Sequence, residues 1–103
     1  MANFVLIFHG GSMPETPEEG AAVVAAWTNW FTGLGTALVD QGNPISNHRT
    51  IAADGSVSEP ASDVSGYTII QADSLDAAVA LARGCPVFLG GASIEVAETF
   101  AVM

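Results

Sequence analysis

His9 and His48 are the two side chains in this sequence whose ordinary titration lies near neutral pH, and they stand among eleven carboxylates. His9 follows the apolar run Phe4-Val5-Leu6-Ile7-Phe8 and precedes Gly10-Gly11, two residues that let a ligand approach the backbone closely. That placement makes His9 the candidate acid-base residue, against the plainer reading of a strand-end imidazole satisfied by its surroundings. Asp40 is its candidate partner, able to orient or deprotonate the ring if the segment after the first helix folds back toward the end of the first strand. Otherwise Asp40 caps a turn. His48-Arg49 forms a lone basic patch suited to a carboxylate or phenolate, or to surface ion pairing. Glu95 lies mid-strand among apolar residues and must face either solvent or a polar cleft. Tyr67 has an apolar body and a polar tip, and suits a binding site or a core margin equally.

Other chemistries lack their residues. No Gly-x-Ser-x-Gly elbow occurs, so nucleophilic hydrolysis has no support. Two histidines and scattered carboxylates give no metal-ligand spacing, and Gly33-Leu34-Gly35 lacks the third glycine of a dinucleotide loop. No cofactor is implied. Cys85, the single cysteine, precedes Pro86 just after a helix and reads as a buried apolar filler, not a reactive thiol.

The elements that must position these residues are legible from periodicity and caps. Residues 4–8 form a strand apolar on both faces, so one side takes helices and the other needs a cover, most economically the same sheet of a second copy. Thr16-Pro17-Glu18-Glu19 starts a helix through a capping box. It runs to Leu34 with Val23, Trp27, Trp30, Phe31 and Leu34 as the stripe that lies on the sheet, and Gly35 stops it. Residues 38–44 are a short extended piece and a turn. A weak strand at 49–53 turns at Asp54-Gly55 onto 56–58, ahead of a Pro- and Ser-bearing loop expected to be the most mobile segment. Residues 66–72 are the clearest second strand, Ser74 starts a helix that ends near Arg83, and residues 94–99 close the chain as a strand. This order is that of an α+β, ferredoxin-like split β-α-β fold: an antiparallel sheet with two helices on one face, as a single domain over residues 1–103.

Taken together, Phe8-His9-Gly10-Gly11, residues 38–44, Asp54-Gly55, Gly66-Tyr67-Thr68-Ile69-Ile70, Ser74-Leu75-Asp76-Ala77-Ala78 and residues 91–96 resemble the YCII-related family. The resemblance implies a dimeric α+β barrel, two sheets facing each other around a cleft, and it points to enzymes acting on chlorinated aromatic hydroxyl compounds through a histidine and an aspartate. Two features depart from the family. The first helix carries Ala25-Ala26-Trp27 where many short members have a histidine, and Ser56-Val57-Ser58-Glu59-Pro60 stands where another branch has Asp-Gly-Pro-Phe.

Charge limits the partners. Two arginines against eleven acids give a net charge of -9, which excludes the basic stripe a nucleic acid needs and disfavours anionic membranes. No apolar run is long enough to span a bilayer, and the start lacks a charged signal region, so a cytoplasmic protein is expected. Two functions fit: a small-molecule-binding homodimer, in its enzymatic form a cofactor-independent acid-base catalyst, or a non-catalytic structural or interaction module whose cleft has closed.

Overall fold

The computed structural model describes residues 1–59 and 62–102. Its centre is β1 (Ala2–His9), whose alternation sends Phe4, Leu6 and Phe8 to one face and Val5, Ile7 and His9 to the other. β1 is flanked on both sides by antiparallel neighbours, β5 (Val64–Ala72) and β6 (Ser93–Glu98), and the short β2 (Leu38–Asp40) adds to the outer edge of β5. The strand order is therefore β2-β5-β1-β6. β3 (Thr50–Ile51) and β4 (Val57–Ser58) pair only with each other, in the hairpin expected at Asp54-Gly55. Asp54 Oδ1 accepts from the Ser56 amide and hydroxyl, and these bonds hold its carboxyl below the usual range. The loop expected to be most mobile includes Pro60 and Ala61, which lie outside the described residues.

Helix α1 (Pro17–Leu34) starts where the capping signals place it, with Thr16 Oγ1 accepting from Glu19 N at 3.1 Å. The return bond differs from the expected box: Glu19 Oε2 accepts from the amide of Glu15, one residue before the cap. Gly35 ends the helix at φ 56° and leads through a 3-10 turn (Gly35–Ala37) into β2. Helix α2 (Leu75–Ala82) is capped by Ser74 Oγ on Ala77 N and sets Ala78 and Ala82 against the sheet.

Both helices join one core with Phe4, Leu6, Phe8, Ile70 and Ala72, on the same face of the sheet. The α1 stripe meets that core unevenly. Leu34 is buried and Trp27, Trp30 and Phe31 are half-buried against it, while Trp30 Nε1 donates to Leu81 O at 3.2 Å and fastens α1 to the end of α2. Val23, the first member of the expected stripe, instead lines an open cleft. The helix is thus held by its C-terminal half and stands away from the sheet at its N-terminal half.

Thr68 is the buried polar exception on the core face, and its hydroxyl donates to Gln41 O at 2.9 Å, tying the β2–β5 connection to the sheet. Cys85 belongs to the core, 3% exposed, and burial pushes its thiol up to about 11, in keeping with an inert filler. The radius of gyration, 15.1 Å, exceeds the roughly 13 Å of a compact domain of this length. The excess reflects a flat, 18 Å thick slab whose second sheet face carries no helix. Among the described residues no helix is long and apolar enough to cross a membrane.

Candidate functional site

The uncovered face of the sheet is apolar at its centre and polar at one end. Register places Ile69, Val5 and Ala97 in one row across β5, β1 and β6, and Tyr67, Ile7 and Glu95 in the next. His9 follows at the end of β1, one diagonal step from Glu95. Here the β1–β5 ladder slips by one residue: Phe8 pairs with Gly66 but His9 pairs with Val64, and Ser65 is skipped. A bulge of this kind re-aims the chain beyond it. It advances β5 so that Asp63 comes alongside, its carbonyl accepting from Gly10 N at 2.8 Å.

The result is an imidazole between two carboxylates. His9 Nδ1 donates to Asp63 Oδ1 at 2.9 Å and Nε2 to Glu95 Oε1 at 3.2 Å. The ring is 23% exposed, whereas Asp63 and Glu95 are 72% and 64% exposed, so the carboxylates reach in from solvent and the imidazole is the fixed member. The hydrogen bonds to Glu95 and to Asp63 raise the His9 pKa above its ordinary 6.5, favouring the imidazolium.

Of the residues singled out from sequence, His9 and Glu95 come together and Tyr67 joins them on the same face. Asp40 does not. It lies on β2, which pairs with β5 and not with β1, so two strand spacings of about 4.8 Å separate it from β1. Its register partner Ile69 is level with Val5, four residues back from His9. Asp40 Oδ1 accepts instead from Gly42 N at 2.9 Å and closes its own turn. The carboxylate that meets Nδ1 is Asp63, which no local motif marks: its signal is the long-range slip between strands 54 residues apart in sequence.

His48 and Arg49 stand apart from His9. The His48 ring lies against the carbonyls of Ser46 and Ser62, at 3.3 and 3.2 Å, and so braces the segment that delivers Asp63. Arg49 donates to His48 O at 3.0 Å and approaches Glu59 at 3.7 Å, an exposed pairing of the ordinary surface kind. Among the described residues no group of three or more His, Cys, Asp or Glu side chains is arranged to hold a metal.

The raised His9 pKa fixes the sign of a pH effect. A histidine whose folded pKa lies above its unfolded value contributes stability that is fully present below about pH 6.5 and is lost as pH rises through the folded value. In urea titrations between about pH 5.5 and 9, wild type should exceed His9→Gln in stability most at the acid end, with the gap narrowing upward. A gap independent of pH would show that the two carboxylates do not favour the charged ring in solution.

Compared with known proteins, the chain matches no family model, no curated protein and no solved structure.

Proposed function

We propose that this chain is a YCII-related homodimer that binds a small aromatic hydroxyl compound and transfers a proton to or from it through His9. The observation that carries this reading is the imidazole held between Asp63 and Glu95 at the polar end of an apolar sheet face. Asp63, with the shorter bond, orients the ring through Nδ1. The longer contact to Glu95 leaves Nε2 as the nitrogen that a substrate oxygen takes over, while Tyr67 and Ile7 offer apolar surface for a ring beside it. The site's two carboxylates carry more negative charge than the imidazolium balances, so the substrate enters as the neutral phenol and its hydroxyl gives its proton to Nε2 in the uncharged form of His9, leaving the phenolate on the imidazolium.

The strand order β2-β5-β1-β6 supports the ferredoxin-like split β-α-β arrangement, since it is the order in which two β-α-β units interleave as one antiparallel sheet. A second copy laid face to face over Val5, Ile7 and Ile69 would cover the half-buried apolar rows and enclose both His9 clusters, forming the dimeric α+β barrel. One observation favours the non-catalytic alternative: both ring nitrogens already have protein partners, as in a clamp tying β1 to β6 and to the Asp63 segment.

Titration with 4-nitrophenol separates the two, because its absorption reports protonation and surroundings. The expected result is a saturable spectral change that His9→Gln abolishes and Asp63→Asn weakens at least tenfold. No change at millimolar probe, or one untouched by His9→Gln, overturns the acid-base reading and leaves the clamp.

A further inference from the structure

An open cavity of about 1160 Å³ lies on the opposite side of the sheet from His9, between α1 and the ends of β1 and β5. That volume exceeds the roughly 300–1,000 Å³ of most small-molecule sites, as expected of a cleft open to solvent. On the helix side it is lined by Ala22, Val23 and Val24 and, further along, by Trp27 and Phe31, and on the sheet side by Phe8 and the strand ends at Gly10, Gly11 and Gly66.

The cavity has a floor suited to a flat apolar guest. Phe8 and Trp27 meet at 5.7 Å between ring centroids with planes tilted by 58°, and Phe31 continues the cluster at 5.5 Å from Trp27. Trp30, on the neighbouring side of α1, donates its indole N–H to Leu81 O and is tied to α2, whereas the faces of Phe8, Trp27 and Phe31 line the cavity and suit an apolar aromatic ring.

Charge settles which guests are refused. Among the described residues no Lys, Arg or His lines the cavity, Glu19 is its one carboxylate, and the chain carries a net charge of -9. An anion entering would be desolvated without a counter-charge and repelled by the protein's own field. We infer that the wedge between α1 and the sheet is a second ligand site, specific for an uncharged planar aromatic molecule and independent of the His9 face.

Two dyes with the same rings test this: uncharged N-phenyl-1-naphthylamine and its sulfonated relative 1-anilinonaphthalene-8-sulfonate. The uncharged dye should bind saturably, one per chain, with energy transfer from tryptophan. The sulfonated dye should bind at least tenfold more weakly. Val23→Trp fills the cavity from α1 and should weaken the uncharged dye at least tenfold while the far-ultraviolet circular dichroism stays native; Ala22→Phe serves the same purpose should Val23→Trp not fold. Equal binding of the two dyes, unsaturable binding, or undiminished binding in a folded filled variant overturns the proposal.

Discussion

Gly42→Ala is expected to lower the stability of the fold by about 3 kcal/mol or more, through a single methyl group placed against the backbone of β5. Gly42 has φ 73°, and a Cβ built there would collide with the backbone carbonyl group of Tyr67. No side-chain rotation relieves a clash with backbone, so the segment from Asp40 to Ile45 must lift from β5. Lifting it strips several bonds at once: Tyr67 N to Asn43 O, Ile45 N to Ser65 O, and the hydroxyl of fully buried Thr68 to Gln41 O. A buried hydroxyl left without a partner costs about 1–3 kcal/mol alone, and the unfavourable φ adds about 1–3 more. Gly55→Ala is the control. Its φ is 89°, yet nothing lies within 4 Å of its Cβ, so only the conformational cost of about 1–3 kcal/mol remains. Urea denaturation of both variants measures the difference, and equal losses would mean that the close approach of Gly42 to β5 does not exist in solution.

That contrast also marks what sequence can and cannot yield. Local signals were legible. Thr16-Pro17 and Ser74 cap the helices that form, Asp54-Gly55 turns the small hairpin, and residues 66–72 sit inside β5. The alternation of β1 revealed a sheet apolar on both faces, and Glu95 could be assigned to a polar surface because it interrupts an apolar strand. What stayed hidden depends on contacts between distant segments. Asp63 reaches His9 only because the β1–β5 register slips at Ser65, and a slip of one residue leaves no composition behind it. Asp40, the partner the sequence suggested, lies two strands away. The wedge beside α1 was hidden for a related reason: periodicity fixes which face of a helix is apolar, whereas the size of the residues on both walls fixes how closely that face approaches the sheet. Val23 belongs to the apolar stripe and still fails to reach the core.

Leu6 and Ile7, adjacent on β1, should give opposite phenotypes, and the pair tests the second face of the sheet directly. Leu6 is fully buried against the helices, and truncation to Ala removes apolar contacts while leaving a cavity, at an expected cost of about 3–5 kcal/mol in urea denaturation. Ile7 points the other way, between Tyr67 and Glu95 on the uncovered face. In an isolated chain Ile7→Glu places a carboxylate on a surface that water reaches, so the fold should survive with native circular dichroism. In the proposed dimer the same change acts twice, since a two-fold interface buries both copies. It brings two new charges beside the Glu95 pair and removes two apolar anchors of about 1.5 kcal/mol each, which together weaken association at least 100-fold. Sedimentation velocity at micromolar concentration should therefore find wild type at twice the 10.5 kDa chain mass and Ile7→Glu at the chain mass itself. A wild-type monomer would remove the homodimer from the proposal, and an Ile7→Glu dimer would place the interface elsewhere. Only the dissociation of a folded variant, set beside the unfolding of its neighbour, shows that one strand serves a core on one side and an interface on the other.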